Sequence, residues 1–457
     1  MTPPHCRGSI RLLGMSLNYA RFISPYIHIV FILAVLAGCS GGGDNQSGGT
    51  GNSGTQGQST PAPASALPVL SVATDNGAEI SSKEDYASAK YTMKSDAGQI
   101  INDSTLDIRG RGNSTWEMPK KPYRVRLTDS APLMGMPANR HWVLLANYSD
   151  KTLIRNDVAF EMSRRLGLAY TPRSTFVELW VNGTDRGIYQ LTEHIRIADE
   201  RVNIPQLDEG DTAPDKITGG YLIEIDARRG EDFCYESPKT GVVFCLSDPE
   251  DLLEPGWENQ RAYIEAYINQ TEDALFSDHF TDPATGYAAY IDVDSAVNYY
   301  LVNEWVKNVD SPQFSSVYLY KKRDGKLTFG PVWDFDLAIG NVDYTNNFGD
   351  PGDPAGWYVR KAPWFARLFQ DPAFEAKVKA RWAQLEASGA VEGIFTYIDN
   401  RASRLSGVQT NNFQIWDILN TKVWPNRVVT GSYEGEVNAM KTWLRTRTNW
   451  IDSQLSQ

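Results

Sequence analysis

The spacing of the apolar residues changes character once along this chain, near residue 200, and that change limits the folds open to it. From 67 to about 196 they alternate or run in short blocks, the period of strands: PVLSVAT (68–74), STLDIRGRG (104–112), KPYRVRL (121–127), HWVLLANY (141–148), TFVELWV (175–181) and IYQLTEHI (188–195). One segment interrupts the series. Ile154, Val158, Met162 and Leu166 recur at helical spacing and Gly167 follows, which predicts a helix over 153–166. Beyond 200 helical spacing dominates, over 261–276, 292–308, 371–387 and about 433–455, with one hairpin over 315–336 turning at Asp324-Gly325. Asp371 and Pro372 are a capping residue and a first-turn proline for the third of these helices. A strand-rich first lobe (67–196) followed by a helical second lobe (197–457) is an α+β chain with a cleft between its parts. Its ~390 residues exceed what one core usually organises.

The segment before the body reads differently. Residues 22–38 are apolar and uncharged and follow Arg7, Arg11 and Arg21, the pattern of a secretory leader over 1–38, with Met15 as an alternative start. The run is marginal for a membrane span and ends at the junction LAGC, which resembles the lipobox of bacterial lipoproteins. That resemblance implies acylation of Cys39, and residues 39–66, rich in Gly, Ser, Gln, Thr and Pro, then read as a flexible tether. The expected protein is exported and held at the bacterial envelope by lipid, periplasmic or surface-facing, rather than spanning the membrane. Of 44 basic residues three lie in the leader, so 41 remain against 56 acidic ones, a net charge of −15. That balance argues against a general nucleic-acid-binding role. With Cys6 and Cys39 assigned to leader and anchor, Cys234 and Cys245 bracket a Pro-Lys-Thr-Gly turn and read as a hairpin disulfide in an exported protein. Two cysteines and the scattered His141, His194 and His279 give no zinc site.

Against this acidic background, RGRGNSTWEMPKKPYRVRL (109–127) is a cationic exception. Gly110 and Gly112 would let backbone N–H groups approach an anion, while Arg109, Arg111, Lys121 and Arg124 supply charge suited to phosphate oxygens. A solvated hairpin is the competing reading. A second cluster adds weight to the first. The helix over 292–308 runs into Asp310, and the following hairpin delivers PVWDFDLAIGN with Asp334 and Asp336 at a strand end, Asp334 being 24 residues after Asp310. Helix, loop Asp, hairpin, Asp is the order of the protein-kinase catalytic segment, in which the first Asp takes the acceptor's hydroxyl proton and the second holds Mg²⁺. Neighbouring carboxylates repel unless a cation compensates, so a metal is expected at Asp334 and Asp336. A turn cap at Asp336 and a solvated loop at Asp310 form the alternative. Glu224 and Asp226, alternating with Leu222 and Ile225, are expected to face solvent or the cleft rim.

The strings IRGRGNSTWEMPKKPYRVRL, WVLLANYSDKTLIRNDVA, LGLAYTPRSTFVELWVNGTDRGIYQLTE, GGYLIEID and VWDFDLAIGN together resemble the CotH family of spore-coat and secreted proteins, over nearly all of 67–455. The resemblance implies a kinase-like two-lobed fold, and phosphorylation of protein Ser or Thr with ATP and Mg²⁺ (or Mn²⁺). Asp310 is then the catalytic Asp and Asp334 the metal Asp. It places the nucleotide at Arg109, Gly110, Arg111, Gly112 and Asn113, and the acceptor among envelope or secreted proteins. The chain departs from an ordinary kinase in several places. Asp310 follows KNV rather than HR, and DFD replaces DFG, so that Asp336 stands in the Gly position. Ser315 occupies the place of the second metal ligand, where Asn is expected. No Lys lies in 141–148, which leaves Lys121 or Arg124 to meet the phosphates, with Glu161 either their ion-pair partner or a solvated helix residue. A surface binding or adhesion module on the same scaffold is the second reading, since fold does not fix function.

Overall fold

The computed structural model describes residues 67–230 and 232–456; the leader, Cys39 and the tether lie outside the described residues. Seven strands, β1 (Val69–Thr74), β2 (Ala87–Lys94), β3 (Ile100–Gly110), β4 (Tyr123–Leu133), β5 (Met136–Leu145), β6 (Ser174–Val181) and β7 (Thr184–Glu193), close into a barrel in the order β1-β2-β3-β4-β5-β7-β6. The closing pair, β1 with β6, is parallel, with Val69 opposite Glu178. Closure removes the unpaired edges that an open sheet would present. Period-two alternation turns Leu70, Tyr91, Ile108, Val125, Trp142 and Leu191 inward, where they form the barrel's own core. β2 falls in ASAKYTMK, which the sequence reading left without a strand.

The same alternation decides where the cationic residues go. On the outer face Arg109 lies opposite Arg124, which lies opposite Val143. One row further along, Asp107, Arg126 and His141 are cross-strand neighbours. The β3–β4 connection carries one short turn of helix, α1 (Ser114–Glu117). The helix expected over 153–166 is α2 (Arg155–Arg165), packed against the helices of the second half with Val158, Phe160 and Met162 buried.

The second half is mixed rather than simply helical, a correction to the expectation for 197–457. A five-stranded sheet in the order β12-β11-β8-β10-β9 is built from β8 (Tyr221–Ile225), β9 (Phe233–Glu236), β10 (Val243–Asp248), β11 (Val317–Lys321) and β12 (Leu327–Phe329). Around it lie α3 (Glu258–Leu275), α4 (Val293–Val306), α5 (Pro363–Leu368), α6 (Pro372–Ala387), α7 (Ala390–Ser406), α8 (Gln409–Ile415) and α9 (Tyr433–Leu455). Asp371 caps α6 by accepting from the Ala373 N–H, with Pro372 in the first turn. Cys234 and Cys245 face each other across the β9–β10 pair and are disulfide-bonded. The barrel's outer face, through Val143, Leu145, Phe176 and Ile188, joins the same apolar cluster as the second half. Between the charged part of that face and the loops after α4 and β12 a cleft remains. Among the described residues no helix is long and apolar enough to cross a membrane.

Candidate active site

One wall of the cleft is made of loops. α4 stops because Lys307 turns into the left-handed region (φ 46°), and its ammonium donates to the carbonyls of Asp350, Asp353 and Ala355. This fixes where the chain leaves the helix. The side chain of Asn308 donates to Asn303 Oδ1 (3.1 Å), while its own oxygen accepts from the Asp310 N–H (3.3 Å). Asp310 is thus set by an amide network rooted in the helix. β12 stops at Phe329, so Asp334 and Asp336 lie in the loop beyond it rather than at the expected strand end. That loop is anchored by Phe335, fully buried against Phe160, and the Phe335 N–H donates to Asn156 Oδ1 (2.8 Å) from α2. Asp334 and Asp336 flank this anchor. Asp334 sits at φ 66°, a conformation that costs a non-glycine residue energy and that clusters at functional sites. Ser316 donates to its Oδ2 (3.3 Å).

The electrostatics follow from this placement. The Asp310 carboxyl is pushed up to about 7, first by burial and then by the charge of Asp334, with Arg228 opposing. Asp336 is driven well above the ordinary carboxylate range by burial, then by Asp334, Asp150 and Asp310. These are the signs of carboxylates crowded together without enough compensating charge. Among the described residues no three acidic, His or Cys side chains form a ready metal cage. Mg²⁺ is usually held by one or two carboxylates together with substrate phosphates rather than by an all-protein cage. The donor set therefore fits Mg²⁺ as part of a phosphate complex. Ser315 is fully buried and its hydroxyl accepts from Arg228 (2.7 Å), so beside that guanidinium it positions a cation of the protein's own rather than offering a free ligand for metal.

The other wall is the cationic turn, and the structure changes the reason for its glycines. The N–H of Gly110 is spent on Ser82 O (2.8 Å) and that of Arg111 on Pro122 O (3.2 Å), so neither cradles an anion. A Cβ on Gly110 would meet the Trp116 ring at 2.3 Å, and Gly112 has φ +89°. These glycines shape the turn, and side chains supply the charge. Arg111 reaches across the cleft to lie 5.6 Å over the ring of Trp333, next to Asp334. Arg109 donates to Glu84 O (3.1 Å) and covers Tyr86. Asn113 and Arg124 line the same space, a cleft of about 850 Å³ that both charged clusters share.

Two expected residues are elsewhere. Glu161 is held by Arg164 (3.0 Å) and Arg165 (2.9 Å) on its own helix and does not line the cleft. The α2 residue that does is Asn156, five positions earlier and so well round the helix from Glu161. Lys121 donates to Trp116 O and stacks on that indole. The lysine in the cleft wall is its neighbour Lys120, fully buried and drawn down to about 7 by burial. Its ammonium donates to Ile188 O and Asn412 Oδ1 (2.9 Å), which ties α8 to the barrel. Of the two positions expected for Glu224, solvent or the cleft rim, the structure shows the cleft. Its carboxylate accepts from Tyr318 Oη (2.8 Å) and is pushed up to about 8 by burial. Alternation within one strand could not say which of its faces would meet the cleft.

A family model described as CotH kinase protein matches residues 108–451, most of the chain. No curated protein matches it.

Proposed function

The chain belongs to the CotH family, and from that premise we propose that it is a kinase-type phosphotransferase with a kinase-like two-lobed arrangement, the barrel acting as the first lobe. The observation that carries this reading is the facing of Arg111 and the Asp334–Asp336 pair across one cleft, with Asp310 beside them. Arg109, Arg111 and Arg124 bind the phosphates of ATP, and Asp334 and Asp336 would hold Mg²⁺ (or Mn²⁺) against them. The metal, when bound, supplies charge neutralisation of the transferred phosphoryl group. Asp310, with a carboxyl near 7, is suited to accept the proton of a Ser or Thr hydroxyl at neutral pH. The acceptor is an envelope or secreted protein, and Cys39 carries the lipid that keeps the enzyme at the membrane, periplasmic or surface-facing. Nucleic acid is not its partner.

Incubation of the protein with γ-labelled ATP, Mg²⁺ and envelope proteins tests the reaction: wild type transfers label and Asp310→Ala does not. A second reading, a surface binding or adhesion module without transfer, is favoured by one feature, the Ser315 hydroxyl committed to Arg228. Wild type that neither binds nucleotide nor transfers label selects that reading. Lipidation has its own test: Cys39→Ala should retain its leader and leave the membrane on high-salt washing, and a variant that stays membrane-bound refutes the anchor.

A further inference from the structure

Ser315 stands five residues after Asp310, where the kinase pattern places a ligand of the second metal ion. Its hydroxyl is taken instead by Arg228 Nη1 (2.7 Å). A guanidinium therefore meets the side chain that the pattern reserves for a metal. Arg228 is itself exposed, and it lines the cleft together with Asp310 and Asp334. Its neighbour Arg229 is paired with Glu236, whereas among the described residues Arg228 forms no ion pair.

The turn after β8 that carries Arg228 is docked on the Asp310 loop. The Ala227 N–H donates to Phe314 O (2.7 Å), and the Phe314 N–H donates to Asp310 O (3.1 Å). The Arg228 N–H donates to Asp226 Oδ1 (2.9 Å), and its guanidinium lies 5.0 Å over the Phe314 ring. Backbone, ring and hydroxyl thus fix a long side chain beforehand, which spares part of the ordering cost of binding. Its charge is felt at the reacting end of the cleft, where it opposes the rise of the Asp310 carboxyl. A guanidinium carries five N–H donors in one plane, so those not used by Ser315 can meet phosphate oxygens.

We propose that Arg228 is a catalytic residue of the transfer, donating to the terminal phosphate of ATP in place of a second metal ion, with Ser315 as its positioning residue. This role rests on the kinase reading above. In the step, the bond between the terminal phosphorus and the bridging oxygen breaks, and ADP leaves with that electron pair. The acceptor hydroxyl oxygen bonds to the phosphorus, and its proton passes to Asp310. Arg228 meets the negative charge on the oxygens of the transferred group, and it stays charged at any working pH. A single metal ion at Asp334 and Asp336 then suffices.

Two measurements on the full chain test this: calorimetry with ADP and with a non-hydrolysable ATP analogue in Mg²⁺, and a count of bound Mn²⁺ by electron paramagnetic resonance. Wild type saturated with the analogue should hold one Mn²⁺ per chain. Arg228→Gln should bind the analogue roughly tenfold more weakly, as expected for loss of a bond to a charged group, and bind ADP as wild type does. Label transfer should fall by ~10²–10³, the cost of removing one preorganised donor. Arg228→Lys should recover part of that loss by keeping the charge. Ser315→Ala should lower transfer while the Mn²⁺ count and the ADP affinity stay at their wild-type values. An unchanged ADP affinity excludes misfolding as the cause. Two Mn²⁺ in wild type overturn the role of Arg228 and leave the kinase reading standing. So does an Arg228→Gln protein that melts like wild type and binds both nucleotides with equal loss or with none. Wild type that binds neither nucleotide removes the kinase reading, and the role of Arg228 falls with it.

Discussion

The two walls of the cleft are built on opposite physical terms. The cationic wall is rooted in strands: Arg109 and Arg124 lie opposite each other on β3 and β4 of a closed barrel, Arg111 sits in the turn directly after β3, and Arg109 shares the Tyr86 ring with Arg126. Its charges are spread over rings and carbonyls and persist without ligand. The acidic wall rests on loops, with Asp334 in a left-handed conformation and Asp310 and Asp336 raised by burial and by each other. Repulsion there is relieved only by protons or by a cation. Strands set a durable cationic surface, and loops hold a group of carboxylates in a state that a bound cation would stabilise.

That contrast can be broken at several points. The largest effect is expected at Asp310, where Asp310→Ala should lower phosphoryl transfer by ~10²–10⁴ while nucleotide affinity stays close to wild type; an equal fall in both would make Asp310 a binding residue. On the cationic wall, Arg111→Gln should weaken nucleotide binding by roughly tenfold, as expected for loss of a bond to a charged group. Calorimetry with Mg²⁺ present reads this.

Next comes the pH dependence of the metal-free protein. Folded Asp310 and Asp336 hold protons more tightly than in the unfolded chain. Stability from Asp310 therefore grows as pH falls from about 7 towards the ordinary Asp value and is lost as pH rises through about 7, and Asp336, raised well above the ordinary range, acts in the same direction. Metal-free protein should melt higher at about pH 5.5 than these groups allow at about pH 8, and Asp336→Asn should raise the melting temperature at the higher pH. No gain in the variant would mean that the carboxylates are not in conflict. Glu161→Ala is the smallest change. It should cost about 0.3–0.5 kcal/mol for each lost helix pair and leave nucleotide affinity unaltered.

Much of this was legible in the sequence because it is local. Helix, loop Asp, hairpin and Asp in that order located Asp310, Asp334 and Asp336, and an eleven-residue separation with a central turn located the Cys234–Cys245 bond. What failed was non-local or a matter of phase. The parallel β1–β6 pairing that closes the barrel joins segments about a hundred residues apart and leaves no local mark. Strand alternation left Glu224 at solvent or the cleft rim, and it lines the cleft. Helix position left Glu161 either an ion-pair partner for the phosphate cations or a solvated residue, and the cleft-facing side of α2 carries Asn156 instead. The glycines were read as making room for a ligand, whereas Gly110 makes room for Trp116.

The central claim is that the loop-borne carboxylates exist to hold a metal against nucleotide phosphates facing Arg111. The most direct test is the affinity for ATP, with and without Mg²⁺, of wild type and Asp334→Ala. Wild type should bind ATP in a Mg²⁺-dependent manner, and Asp334→Ala should lose that dependence, because phosphate and the remaining carboxylates would then repel without a bridging cation. Equal Mg²⁺-dependent affinity in the two proteins, or none in wild type, would contradict the account.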